Sequence, residues 1–218
     1  DSKENMPSSY GSGGDINNIQ SSFYTRNDYI DILKHAKSKF IDVIPEIETP
    51  GHARAAIKAM DARYARLMKE GKSEEAKQYL LSDPEDQSIY VSAQYFRDNV
   101  MCVAQPGVYN FIATTVDAFI NMHREAGMPL KTIHVGGDEV PQGVWEKSPI
   151  AQNLLKQLPK DKYRHTSDLW VYYWEKVNAI LNDDNYLKEV MEKGAAKANA
   201  SANATMKLVR EAIGLKYY

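Results

Sequence analysis

Two short runs rich in β-branched and aliphatic residues, IDVIPEIET (41–49) and LKTIHV (130–135), constrain this chain most. Each lies between longer segments whose apolar residues recur at helical spacing. TRNDYIDILKHAKSKF places Tyr29, Ile32, Leu33 and Ala36 on one face. GHARAAIKAMDARYARLMKEGK does the same with Ala56, Ala59, Met60, Arg63 and Leu67, and stops near Gly71. SEEAKQYLL reads as a short helix, residues 82–106 as mostly loop, and GVYNFIATTVDAFINMHREAG as a long amphipathic helix closing at Gly127. TSDLWVYYWEKVNAIL predicts one further helix. Helices alternating with short buried strands imply a parallel α/β sheet or barrel, in which chemistry gathers at the carboxyl ends of the strands.

Polar clusters stand at both of those ends. HVGGDE (134–139) follows the second predicted strand; alternation would set His134, Gly136 and Asp138 on one face. Glu139 comes one residue later, where the strand should be ending. Two adjacent carboxylates in one desolvated pocket cannot both ionise cheaply, so one should hold its proton and serve as an acid while the other stays charged. The same letters also suit a polar turn whose aspartate caps the next helix. PEIETPGH (45–52) follows the first predicted strand. It sets Glu46 and Glu48 on one face and His52 at the start of a helix, where a histidine can orient a carboxylate or act as a cap. A metal centre would combine His52, His134, Asp138 and Glu139, but the spacing lacks the paired histidines or cysteines of a zinc motif, so no metal is expected.

Composition narrows the partners. A net charge of −2 and 43% hydrophobic content fit an ordinary globular protein and give no reason to expect nucleic acid or an anionic membrane. No apolar run reaches the roughly 20 residues that span a bilayer, and the opening residues do not form a secretory signal. The single cysteine, Cys102, excludes an intrachain disulfide. PSSYGSGGDINNIQSS (7–22) reads as an irregular loop, with no Lys-Ser/Thr pair to make it a phosphate cradle.

VIPEIETPGHARAAIKAM and HVGGDEVPQGVW closely resemble the two signature segments of family 20 glycoside hydrolases, the β-N-acetylhexosaminidases and chitobiases. The resemblance runs through the spacers and covers roughly residues 7 to 182. It implies a (β/α)8 TIM barrel that removes terminal β-linked N-acetylglucosamine or N-acetylgalactosamine from an oligosaccharide or glycoconjugate, as in chitin degradation. It also implies a substrate-assisted retaining mechanism, in which the sugar's own acetamido oxygen attacks the anomeric carbon and forms an oxazolinium ion. Glu139 matches the general acid, which afterwards acts as base on water. Asp138 matches the carboxylate that orients the acetamido N–H and stabilises the charge developing there. His52 matches the histidine that supports the acid, and His134 a residue behind it; Glu48 stands where many members have Asp, and Trp145 would shield the pocket. No cofactor is implied, and the family is often periplasmic or secreted.

A complete barrel needs about 250 residues, and only two strands are legible, corresponding by resemblance to the third and fourth. The upstream arginine and aspartate of the family and its later aromatic residues find no match. The expected fold is therefore a partial (β/α)8 TIM barrel (1–183) with an added C-terminal helix (184–218), joined near the polar NDDN. YLKEVMEKGAAKANASANATMKLVREAIGLKYY (186–218) resembles the C-terminal helix of bacterial tryptophanyl-tRNA synthetases, without any of their ATP- or tryptophan-binding motifs. A chain of this kind would be a fragment, a domain of an assembly or an engineered chimera. As an enzyme it would be completed by another copy in a homo-oligomer; the alternative is an inactive folding or assembly module.

Overall fold

The computed structural model describes residues 24–182. The Gly/Ser loop expected at 7–22, the junction expected at 183–185 and the helix expected over 186–218 lie outside them. The chain divides into two units, Asp1–Val177 and Asn178–Tyr218. The first holds everything that follows, and the described part of the second is the last turn of one helix.

Among the described residues six α-helices form: α1 (Arg26–Ser38), α2 (Arg54–Lys69), α3 (Ser73–Lys77), α4 (Pro106–Glu125), α5 (Pro149–Gln157) and α6 (Leu169–Leu181), the last preceded by a 3-10 turn at Thr166–Asp168. Helix α1 starts at a reciprocal cap, in which the Thr25 hydroxyl accepts from the Asp28 N–H and the Asp28 carboxylate accepts from the Thr25 N–H. It buries Ile30, Leu33 and Ala36 and leaves Ile32 on its rim. Helix α4 opens with Pro106, whose missing N–H costs nothing in a first turn. Helix α5 was not anticipated from the sequence; Ser148 and Pro149 start it, the serine as cap.

Helix α1 packs on α4, and α2 on α3. The first contact buries Ile30, Leu33 and Ala126, with Tyr29, Val43, Met122 and Met128 around them. Within it sits His123, only 1% exposed. Its Nδ1 lies 3.0 Å from the Met128 carbonyl, which can only accept, so Nδ1 carries the proton and Nε2 accepts from the Tyr29 hydroxyl at 3.1 Å. Burial lowers its affinity for a second proton.

The two expected strands require correction. Among the described residues no strand forms. The segments meet at a single parallel bridge between Glu46 and His134. The His134 N–H donates to the Pro45 carbonyl at 2.9 Å and the Ile47 N–H to the His134 carbonyl at 3.0 Å. Parallel ladders need cover on both faces and neighbours on both edges. Here Phe40, Ile41 and Ile44 are 100%, 57% and 59% exposed, and Pro45 has no N–H to extend the ladder.

Candidate active site

The bridge sets the two polar clusters side by side, and two ties hold them there. The Thr49 hydroxyl donates to the Val135 carbonyl at 2.6 Å and accepts from the Tyr173 hydroxyl of α6 at 2.5 Å. Thr49 and Tyr173 are both buried, so α6 locks one cluster against the other from below.

Beyond Val135 the chain leaves the extended conformation. Gly136 has φ +70° and Gly137 has φ +114°, values that disfavour any side chain. Space demands glycine as well. A Cβ on Gly136 would lie 2.4 Å from Glu48 Oε2, and one on Gly137 would lie 2.3 Å from the Trp174 ring. The strand alternation expected to put His134 and Asp138 on one face therefore ends at Gly136. His134 turns instead to Glu46, with Nδ1 2.6 Å from its carboxylate.

What gathers past the glycines is a group of three carboxylates around one imidazole. His52, held at φ +50° just before α2, places Nε2 3.6 Å from Asp138 Oδ2 and 3.4 Å from Glu139 Oε2. Glu139 is itself at φ +50°, so the turn bends its side chain back toward the histidine. Glu48, His52 and Asp138 offer ligand atoms within 4.8 Å of one another. That spacing would admit a cation; a proton relieves the same repulsion. Burial of its carboxyl first, and the neighbouring Asp138 second, push Glu48 above the usual carboxylate range. Glu48 thus adds a third carboxyl, its proton affinity raised, beside the Asp138–Glu139 pair. Its Oε2 is buried without a hydrogen-bond partner, as suits a neutral carboxyl better than a charged one.

The structure therefore brings Asp138, Glu139, His52 and Glu48 together and sets His134 beside them on Glu46. Trp145 stands apart from this group. It is 2% exposed, and its indole N–H donates to the Met101 carbonyl at 3.0 Å, so it packs rather than faces a pocket. Two neighbours escaped the sequence reading. The Gln94 amide donates to Glu139 Oε2 at 2.8 Å from a loop 45 residues away. Trp174, on α6, covers Gly137 with its buried indole nitrogen unpartnered. Neither carries a local signal; a glutamine in a loop and a tryptophan in an amphipathic helix are ordinary.

The family model for the catalytic domain of glycosyl hydrolase family 20 matches residues 3–211, past the expected junction. A beta-hexosaminidase from Vibrio vulnificus is 37% identical over 172 residues, which is 79% of this chain and 20% of that protein. Beta-hexosaminidase B from Pseudoalteromonas piscicida is 42% identical over 172 residues, 79% of this chain and 22% of its own length. A solved structure of a GH20 exo-β-N-acetylglucosaminidase from Vibrio harveyi in complex with N-acetylglucosamine superposes with a TM-score of 0.57 at 32% identity. It covers 73% of this chain and 22% of the Vibrio harveyi chain. The chain thus spans about a fifth of the length of the curated relatives it matches. Its relation to that structure makes the fold TIM-barrel-like, the described residues contributing helices and a single parallel bridge.

Proposed function

The chain belongs to glycosyl hydrolase family 20, and from that membership we propose that it removes terminal β-linked N-acetylglucosamine or N-acetylgalactosamine from oligosaccharides or glycoconjugates by a substrate-assisted retaining mechanism. Glu139 protonates the leaving oxygen while the substrate's acetamido oxygen attacks the anomeric carbon. The glycosidic bond breaks and an oxazolinium ion forms. Asp138 receives the acetamido N–H and steadies the charge spreading onto that group. Water, deprotonated by Glu139, then opens the ring with retention.

One observation carries this reading: a single imidazole nitrogen, on His52, reaches both adjacent carboxylates. In the two-carboxylate scheme the groups flank the scissile bond from opposite sides, separated by about 5 Å or more. Neighbouring residues that share one histidine serve the same side of a sugar. That arrangement is useful only when the nucleophile comes from the substrate, because one carboxylate is then free to manage it and the other to manage the leaving group. Gln94 donates to Glu139 Oε2, the same oxygen that faces His52.

The test is hydrolysis of a chromogenic N-acetyl-β-glucosaminide. Glu139→Gln should lower turnover by about 10²–10⁴-fold. Asp138→Asn should lower it comparably on this substrate, but leave hydrolysis of the corresponding glycoside without the acetamido group no worse than in the wild type. Turnover that survives Glu139→Gln removes the assignment. The proposed setting is periplasmic or secreted, in the degradation of chitin-like material; no helix among the described residues is long and apolar enough to cross a membrane.

A further inference from the structure

The contact between α1 and α4 holds a titratable group that the chemistry of the site does not use. His123 of α4 is 1% exposed, and both nitrogens of its ring are engaged. Nε2 accepts from the Tyr29 hydroxyl across the contact, with the two rings 5.9 Å apart. Nδ1 donates to the Met128 carbonyl, and the Met128 N–H donates to the His123 carbonyl at 2.9 Å, so the chain beyond α4 is folded back onto the same residue. The segments that leave these two helices carry the two polar clusters. Helix α1 runs out through Val43, which packs on the same apolar group as Met128, toward Glu46, Glu48 and His52. Helix α4 runs out through Met128 toward His134, Asp138 and Glu139. The imidazole therefore stands where both segments depart, ahead of the bridge that sets the clusters side by side.

We propose that His123 is an acid-sensitive latch: neutral, it fastens α1 and the Met128 turn to α4 and so keeps the two clusters together; protonated, it releases them. Nε2 is the atom that takes the proton. Once it carries hydrogen it cannot accept from Tyr29, and two donors face each other at 3.1 Å until the hydroxyl turns away. The charge also arrives without a counter-ion. Arg26 of α1 occupies Glu125 of α4, and Lys37 of α1 donates to the Gly127 carbonyl. Arg124 of α4 reaches Asn121, and Lys131, on the segment after α4, lies against Asp42. Among the described residues no carboxylate touches the ring. Burial accordingly lowers its affinity for the second proton, and the unfolded chain takes that proton up first. Stability from this group is complete above the ordinary histidine value of 6.5 and falls as pH drops below it.

Amide hydrogen exchange of the full chain, followed by NMR at about pH 7.5 and about pH 5 and corrected for the intrinsic effect of pH on exchange, tests the latch. The Ile47 and His134 N–H groups form the bridge. Their protection should fall about tenfold in the wild type between the two conditions, the change that one unit of pKa shift produces. His123→Gln has no imidazole to protonate and should show no such fall. An equal fall in His123→Gln, or none in the wild type, overturns the latch. Tyr29→Phe gives an independent reading should His123→Gln fail to fold, because it lacks only the bond that acid breaks. Its melting temperature should lie about 2–4 °C below that of the wild type near about pH 7.5 and meet it near about pH 5. A gap of the same size at both pH values also overturns the latch. Neither measurement requires turnover, so the latch stands or falls apart from the hydrolase reading.

Discussion

Glu48 and Asp138 lie close together at the turn after Gly136, and desolvation of Glu48, with the Asp138 charge second, disfavours ionisation of Glu48. The Glu48 carboxyl, raised above its ordinary value of 4.5, keeps its proton in the folded protein at a pH where the unfolded chain has released it. Between 4.5 and the raised value the folded state binds more protons, so stability is full below that window and falls as pH rises through it. Glu48→Gln fixes the neutral form permanently. Melting temperatures of the two proteins should converge near about pH 4, and the variant should melt higher near about pH 7. A wild-type advantage at neutral pH would mean that a charged Glu48 is held by a partner, and would place the retained proton elsewhere. His52 belongs to the same balance, since its attraction lowers the Glu48 value while Asp138 raises it.

At the scale of elements, the described helices other than α5 were legible because each carries its own periodicity and stop signals. Leu33 and Ala36 of α1 and Leu67 of α2 are buried as the spacing demands, whereas Ile57, absent from the expected α2 stripe, is also buried. The strands were not legible in the same way. IDVIPEIET and LKTIHV have the composition of buried strands, but a ladder is a property of neighbours, and the described residues supply one bridge. The site divides along the same line. Asp138, Glu139, His52 and Glu48 stand in two contiguous motifs, while Gln94 reaches Glu139 only through the fold. Helix α5 illustrates what a short helix needs when its periodicity is too brief to be read. Ser148, fully buried, caps Ala151 through its hydroxyl at 3.2 Å and donates the same hydroxyl to Asp83 at 2.7 Å. Ser148→Ala removes both interactions and should cost about 2 kcal/mol, a fall in melting temperature of roughly 4–8 °C. Ser148→Asp separates the two roles. Aspartate is a good cap, so recovery of stability would show that capping is all that matters. The expected result is no recovery, because a second carboxylate would then face Asp83.

For the first unit as a whole, the decisive quantity is apolar surface beside the bridge. Phe40 is fully exposed, Ile41 and Ile44 are more than half exposed, and all three lie just ahead of Pro45, where pairing begins. Isolated exposed apolar residues are ordinary; three within five positions next to backbone that pairs on one side are a template for association. Lys131 and Asp42, at 3.4 Å, are the nearby charges, and both are exposed enough to contribute little. The wild-type protein should therefore self-associate, with a weight-average sedimentation coefficient that rises with concentration. Ile44→Lys puts a charge into the middle of that run and follows the way natural edges are protected. Because Ile44 is 59% exposed, the change removes little burial, so the melting temperature should hardly move while the concentration dependence is lost. If association persists in Ile44→Lys and also in the double variant Phe40→Ser/Ile44→Lys, the contact is made elsewhere. If it is lost together with hydrolysis of the chromogenic substrate, another copy completes the site. Loss of association with activity intact makes the edge a packing surface only.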